Sequence, residues 1–237
     1  SAQAVGSSNT ENTARYIGGT RTTLAESLYI GPQANITVDG TWVIYSKNIV
    51  IDPNAVIQGN GRILIYNPSE VGGIASATMI DGNGSRNAID VNIELHNAEG
   101  MELTSIPFPS DLLASGATNN ASNSSVYIGK ELNLAVDGAD VTLDASVTGD
   151  LVLDADATIS NYRPQRMVVT NNSIVSHVVK EDLSTSFVFP IGITKGDYTP
   201  AEVAGSGTFH ASVQNYTQSA SDEGLLNGGP DRTWHIY

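Results

Sequence analysis

The sequence predicts an all-β fold, built from β-solenoid-like or β-sandwich repeats with a C-terminal β-sandwich-like element. Two observations support this fold class. Apolar residues come in short bursts that alternate with polar residues, and the bursts are separated by turn sequences such as Asp-Gly and Gly-Asn-Gly. Two related segments of the chain also match each other, which indicates an internal repeat.

The repeat begins with residues 27–40, which match residues 125–138 at eight of fourteen positions. Two shorter blocks continue the match in the same order, 49–57 with 151–159 and 63–67 with 167–171. Three blocks in the same order are hard to obtain by chance. We therefore interpret the chain as carrying a duplicated unit.

Each unit contains short apolar pairs such as Ile36 with Val38 and Ile49 with Ile51. Strands of this length at close, regular spacing are typical of a solenoid, in which successive coils stack their aliphatic side chains into ladders. The alternative is an antiparallel sandwich, whose hairpins would turn at Asp39-Gly40 and Asp137-Gly138. Both arrangements bury the apolar face and leave the other face outside.

A polar run after Pro107-Phe-Pro109 has no core-forming content and reads as a linker, with a short helix candidate near Ser110 to Ala114. The strands after residue 184 are longer than those before it. The predicted segments are an N-terminal extension 1–24, a first β repeat 25–106, a polar linker 107–124, a second β repeat 125–183 and a C-terminal β element 184–237, expected to be truncated.

Composition restricts the partners of the protein. There are 11 Lys and Arg against 25 Asp and Glu, a formal charge of −14, and no cysteine. Such a surface repels nucleic acids and anionic lipids, and no apolar stretch is long enough for a membrane-spanning helix. We expect homo-assembly, other surface proteins or glycans as partners, with no nucleic acid and no membrane insertion. Residues 1–4 are consistent with the start of a secreted chain after removal of a signal peptide.

Residues 187–203 contain Pro190-Ile-Gly192 followed by Tyr198 and Pro200, and the chain ends in a segment with Arg232, Trp234 and Ile236. These segments resemble the FPIG…YxP and RxWxI stretches of large cell-surface proteins of Bacteroidota that use the type IX secretion system. The resemblance is specific over about the last fifty residues. It implies secretion across the outer membrane to the cell surface and a role in attachment, gliding or extracellular fibres. The sorting domain of that family is absent from this sequence.

Groups for catalysis are scarce. There is neither a G-x-S-x-G elbow nor a P-loop, and no two histidines have metal-ligand spacing. Aspartates cluster in the second repeat, at 137, 140, 144, 150, 154 and 156, but residues 131–162 contain no Arg or Lys. A solenoid of this kind resembles pectate lyases in fold alone. Those enzymes combine calcium-binding aspartates with a catalytic Arg or Lys. The sequence therefore predicts a protein that is not an enzyme, with no catalytic residues.

Two weaker sites are predicted. Asp81, Asn83 and Ser85 offer oxygen atoms at alternating positions, as calcium loops do, although no acidic residue follows at the twelfth position. Calcium is the only cofactor that the sequence suggests. A glycan would need exposed aromatic rings on a sheet face, and the candidate platforms are Trp42 with Tyr45 and Tyr16 with Tyr29.

The predicted function is that of a non-catalytic extracellular structural or adhesive protein of a bacterial surface. Stacked short strands leave unpaired backbone at the ends of a solenoid, so self-assembly into a fibre or layer is expected. The alternative is a carbohydrate-binding module of a larger secreted protein.

Overall fold

The computed structural model describes residues 2–5, 14–107, 119–217, 221 and 231–237. Strands make up nearly all the regular structure in these ranges, and most of them pair in parallel within two long sheets. The all-β prediction is confirmed, and the parallel stacks are consistent with a solenoid-like arrangement. The helix candidate near Ser110 to Ala114 lies outside the described residues. Within them, no helix is long and apolar enough to cross a membrane.

The chain passes through three stacks of strands in turn. Stack A is an eight-stranded parallel sheet of β1 (Ala2–Val5), β4 (Ser27–Ile30), β7 (Asn48–Ile51), β9 (Thr78–Asp81), β11 (Met101–Leu103), β14 (Val141–Thr142), β17 (Val168–Val169) and β20 (Ile191–Gly192). Stack B contains β2 (Ala14–Ile17), β5 (Asn35–Val38), the first parts of β8 (Val56–Ile65) and β10 (Ser85–Leu95), then β12 (Val126–Ile128), β15 (Leu151–Leu153) and β18 (Val178–Leu183).

Stack C contains β3 (Thr20–Thr23), β6 (Thr41–Ile44), the second parts of β8 and β10, β13 (Glu131–Leu134) and β16 (Thr158–Ser160). Because β8 and β10 run through both stacks, B and C belong to one thirteen-stranded sheet. Two antiparallel strands, β22 (Gly207–Asn215) and β23 (Arg232–Ile236), extend stack B beyond β18. A separate antiparallel pair joins β19 (Ser186–Phe189) to β21 (Ala201–Ala204), and a 3₁₀ helix spans Pro68–Val71.

The strand register repeats every 21 residues in the first coils. Asn35 pairs with Ala14 on one side and with Val56 on the other, and the same offset joins β4 to β7 in stack A and β6 to β8 in stack C. Ile36 and Val38 point into the core while Asn35 is exposed, which is the predicted alternation. Burying an aliphatic side chain of this size contributes about 1.5–3 kcal/mol, so the ladders supply the main stabilisation of the fold.

The duplicated blocks occupy different stacks. Residues 27–30 form β4 in stack A, whereas their counterparts at 125–128 include β12 in stack B. The other blocks are displaced in the same sense, because β7 lies in stack A and its counterpart β15 lies in stack B. The second copy is thus advanced by one stack, since the spacing between the copies is not a whole number of coils. Each stack accepts the block because all three require the same apolar alternation.

The Asp-Gly steps do not form hairpins. Asp39-Gly40 joins β5 to β6, which lie in different stacks of one coil and do not pair with each other. The turn between stacks B and C is instead shaped by close contact between coils. A Cβ atom on Gly40 would overlap the carbonyl oxygen of Gly19, and one on Gly61 would overlap that of Gly40. Glycine at 40 and 61 therefore lets successive backbones approach.

The predicted segments meet in this arrangement. β2 and β3, from the predicted extension 1–24, pair with β5 and β6 of the first repeat. β10 of the first repeat pairs with β12 and β13 of the second. The predicted C-terminal element 184–237 contributes the antiparallel strands β22 and β23. The segment boundaries themselves stay a prediction.

Candidate functional site

An open groove lies beside Tyr45 where the regular coil length is interrupted. Leu24 and Tyr45 follow β3 and β6 in successive coils, and the Tyr45 N–H donates to the Thr23 carbonyl at 3.0 Å. The next coil carries ten more residues than the 21-residue coil, because Asn48 pairs with Met79. The insertion supplies the opposite wall. We call this cavity of about 380 Å³ the Tyr45 groove; its apolar lining is Leu24, Tyr45, Pro68, Val71 and Ile74.

The insertion is held in place by asparagine side chains. Asn67 caps the 3₁₀ helix by accepting a hydrogen bond from the Ser69 N–H at 3.0 Å, and Gly72 ends the helix with φ +86°. The Asn67 amide also donates to the Asn97 side chain at 3.0 Å, deep in the next coil. The groove wall is therefore fixed from beneath, while Ile74 is 87% exposed. The break in coil length is the sequence signal that would have located this groove.

Aromatic rings stack from coil to coil beside the groove. The Tyr45 and Tyr66 rings are 5.5 Å apart, and the Tyr66 and His96 rings are 4.7 Å apart. His96 is anchored by Glu94, whose carboxylate also accepts from Arg62 at 3.2 Å. Burial alone would raise the pKa of Glu94, but the hydrogen bonds from His96 and Arg62 lower it overall. This ladder fixes the Tyr45 ring on the groove wall.

Trp42, the other half of the predicted glycan platform, belongs to the core. Its side chain is 2% exposed, and its indole N–H donates to the Thr23 hydroxyl at 2.9 Å. A sugar cannot stack on a ring that is covered on both faces. The Tyr16 and Tyr29 pair is also separated, because Tyr16 is 71% exposed on stack B and Tyr29 is buried on stack A. Of the predicted platform residues, Tyr45 lines this groove, and Tyr16 lines a smaller cavity of about 200 Å³ on stack B.

The predicted calcium ligands lie between the end of β9 and the start of β10, and each is engaged in hydrogen bonds with other parts of the chain. The buried Asp81 carboxylate accepts from the N–H groups of Asn83 at 2.8 Å and Ile106 at 2.7 Å. The side-chain amide oxygen of Asn83 accepts a hydrogen bond from the Asn120 backbone N–H, and the Ser85 hydroxyl donates to the Pro53 backbone carbonyl. Burial raises the pKa of Asp81 to about 6. Within the described part of the chain, no three His, Asp or Glu side chains are grouped as a metal site would require.

The aspartates of the second repeat receive cations from other parts of the chain. Asp137 bonds with Arg163 and with Arg166, the latter at 2.9 Å, and Asp154 lies in the field of Arg86. Because residues 131–162 contain no Arg or Lys, the sequence predicted that this cluster has no basic neighbours. That prediction was wrong, since arginines outside this segment lie close to the aspartates. Stacking of coils brings residues together that are tens of positions apart in the sequence.

Arg86 lines a polar cleft, a cavity of about 230 Å³ on stack B. Its guanidinium makes two bonds to Glu181, at 2.9 and 3.2 Å, and lies 5.0 Å from the centre of the Tyr127 ring. Burial and the Glu181 charge raise the pKa of Asp154 in the same cleft. The cation is thus held by a bidentate carboxylate, a geometry that fixes the two coils together.

Lys180 is a buried cation that closes a turn. It is 4% exposed, and its ammonium group donates to the carbonyl oxygens of Asp154, Ala155 and Ala157 at 2.5, 2.6 and 3.1 Å. Burial lowers the pKa of Lys180, and the neighbouring carboxylates of Asp156 and Asp154 oppose that shift. The side chain gives the Ala155 and Ala157 carbonyls a donor in the interior, and it shares the Asp154 carbonyl with the Ala157 N–H.

Histidines gather where β22 and β23 meet the last coil. The buried His177 ring lies edge-on to Tyr237 at 5.4 Å and to His210 at 6.0 Å. Burial lowers the pKa of His177 to about 4, assisted by the charges of His210 and His235. Asp150 is 3.9 Å from its Nδ1 atom, but burial raises the pKa of that carboxyl too. His177 is therefore neutral in the folded protein at neutral pH.

This arrangement predicts a loss of stability in acid. The unfolded chain binds a proton on His177 below about pH 6.5, but the folded chain does so only near pH 4, so stability falls through that window by about 2 kcal/mol. Asp81 works in the opposite direction, since its raised pKa favours the folded state as pH falls below 6. We therefore compare the wild type with His177→Phe, because both retain Asp81. Urea unfolding between pH 7 and 4.5 should show the variant losing less stability; parallel profiles would contradict the assignment.

The two segments that carry the family resemblance contact each other. Arg232 of β23 bonds to Asp197 at 2.9 Å, and the Trp234 indole N–H donates to the Thr199 carbonyl at 3.0 Å. Tyr198 also bridges to Gly192. The motif residues therefore dock the last strand onto the preceding loop. Comparison of the chain with family models, curated proteins and solved structures finds no match.

Proposed function

We propose that this chain is a non-catalytic structural or adhesive module of a bacterial cell surface, secreted by the cell that makes it. One observation carries the proposal. The ionisable clusters of the described residues, around Asp137, Arg86 and Lys180, are engaged with partners that tie coils together. The resemblance of residues 187–203 and of the Arg232 segment to secreted surface proteins of Bacteroidota supports the location. The finer architecture that we propose is a β-solenoid closed by an antiparallel β-sandwich-like end.

The test has two parts, carried out on the cells that produce the protein and on the purified chain. Mild proteolysis of intact cells should release peptides of this protein, and a panel of polysaccharides should show no new reducing ends or unsaturated products. Detection of the protein only after lysis would contradict the surface location. Turnover of any polysaccharide that is lost in Glu181→Gln would show that the Arg86 cleft is catalytic.

Carbohydrate binding is the second candidate, and the Tyr45 groove favours it. The groove offers an aromatic wall fixed by the Tyr66 ring, exposed apolar side chains and a volume suited to one or two sugar rings. On a glycan array, Tyr45→Ala should weaken binding at least about tenfold if a ring stacks there, a loss of about 1.4 kcal/mol. The matched control is Tyr16→Ala, which removes an exposed tyrosine from another face. Equal loss in both variants, or no binding by the wild type, would reject the groove.

A further inference from the structure

Along stack B, the thirteen-stranded sheet has an edge strand at each end. β2 pairs only with β5, and β23 pairs only with β22, among the strands that the structure describes. Each of these strands therefore presents one row of backbone N–H and C=O groups without a strand partner there. Such edges are sites at which another chain adds a strand.

Large apolar side chains are exposed on both edge strands. Tyr16 on β2 is 71% exposed, and on β23 Trp234 and Ile236 are 44% and 39% exposed. Tyr237, next to β23, is 67% exposed. Half of the eight large apolar side chains exposed in the described chain thus lie at the two ends of this one sheet. Isolated apolar residues on a surface are ordinary, but their concentration on the edge strands of a sheet marks an interaction surface.

Charge favours contact between opposite ends. Residues 14–24 carry Arg15 and Arg21, both exposed, and no acidic residue, although the whole chain has a charge of −14. At the other end, the Asp231 side chain next to β23 is 92% exposed, and Arg232 of β23 is paired with Asp231 and Asp197. Two copies of the β2 end would repel each other, whereas the β2 end of one copy attracts the β23 end of another.

Gly19 gives a steric argument for close approach. Its counterparts Gly40 and Gly61 need to be glycine because the preceding coil contacts them, but a Cβ atom on Gly19 would meet nothing within 4 Å. Gly19 also lacks the left-handed backbone that would favour glycine. The first coil therefore keeps open the clearance that another layer of backbone requires.

We infer that the β2 edge of one copy of this chain pairs with the β23 edge of a second copy, so that the sheet continues from copy to copy. The inference rests on the proposed structural role and names its assembly surface. The contact is heterologous, since it joins two different edges. Each added copy therefore leaves one free edge at which a further copy can bind. The expected product is an open-ended linear oligomer.

The edges hold four and five residues, so the interface is small and weak. Sedimentation velocity of the purified chain should show a mass that rises continuously with concentration up to about 1 mM, a range suited to weak pairing. Tyr16→Asp and Ile236→Asp each place a charge at one edge and should leave the protein monomeric. The matched control, Ile74→Asp, changes a more exposed apolar residue in the Tyr45 groove and should assemble like the wild type.

Mixing the variants distinguishes this contact from a two-fold dimer. Tyr16→Asp keeps an intact β23 edge and Ile236→Asp keeps an intact β2 edge, so the mixture should form a one-to-one heterodimer and nothing larger. Each variant alone should also shorten wild-type oligomers at sub-stoichiometric amounts. A wild type that is monomeric throughout, a discrete symmetric dimer, or equal loss of assembly in Ile74→Asp would overturn the inference. None of these outcomes affects the surface location, which the proteolysis of intact cells tests separately.

Discussion

Gly40→Ala is expected to lower the free energy of unfolding by about 3 kcal/mol or more, because the new methyl group would enter the backbone of the preceding coil. The obstacle is the carbonyl group of Gly19 and the adjoining peptide of Gly18, which cannot move aside as a flexible side chain would. Relief requires the first two coils to separate, which weakens the ladder between β2 and β5. Chemical denaturation followed by circular dichroism measures the effect.

Gly19→Ala is the matched control for this prediction. The substitution is the same and lies at the equivalent position one coil earlier, where the methyl group meets open space. We expect a change of no more than about 0.5 kcal/mol, as for other surface substitutions. Gly61→Ala should behave like Gly40→Ala, since its methyl group would meet the Gly40 carbonyl. Similar stabilities for the alanine variants at 19 and 40 would show that the coils are not packed as described.

Lys180→Met should destabilise the fold by about 3 kcal/mol, since the Ala155 and Ala157 carbonyls in the turn after β15 would lose the ammonium donor and the Asp154 carbonyl would keep the Ala157 N–H. Methionine retains most of the apolar stem, so the change isolates the ammonium group. The loss should appear in the midpoint of urea unfolding with little change in its slope. If Lys180→Met is too unstable to purify, Lys180→Arg can be measured instead. Arginine keeps a donor at this position and should retain part of the stability.

Lys130→Met provides the comparison at a solvated site. Lys130 also donates to a backbone carbonyl, that of Gly59 at 2.6 Å, but it is only half-buried. Water can replace its ammonium group there, so we expect a loss below about 1 kcal/mol. If Lys130→Met proves as damaging as Lys180→Met, burial of the acceptors is not the cause.

The sequence was sufficient to predict the all-β fold, because alternation such as Ile36 and Val38 depends only on which face of a strand is buried. It was insufficient to place side chains that meet between coils. The sequence predicted that Trp42 is exposed, because it lies next to the polar residue Thr41 and alternates with Val43. In the structure the Trp42 side chain points into the core and donates to Thr23. The partners of Asp137 and Asp154 were missed for a related reason, since a short sequence window contains only one coil.

The groove was missed because its walls come from two places. Leu24 and Ile74 are fifty positions apart, and neither carries a motif. The sequence did contain a change in coil length. Paired strands such as β5 and β8 are 21 residues apart, and this spacing is lost between β7 and β9. A regular period specifies the stack, and departures from it mark the positions where surface features are inserted.

The displacement of the second copy by one stack has a consequence for how such a chain can grow. A duplicated segment that covered a whole number of coils would face the same way as its parent, and a long array would display its surface groups along one side. Here an outward-facing group on β4 in stack A has its counterpart on β12 in stack B, which belongs to the other sheet. Lengthening the chain by this step would wind its surface features around the axis, so that a rod built this way presents them in every direction.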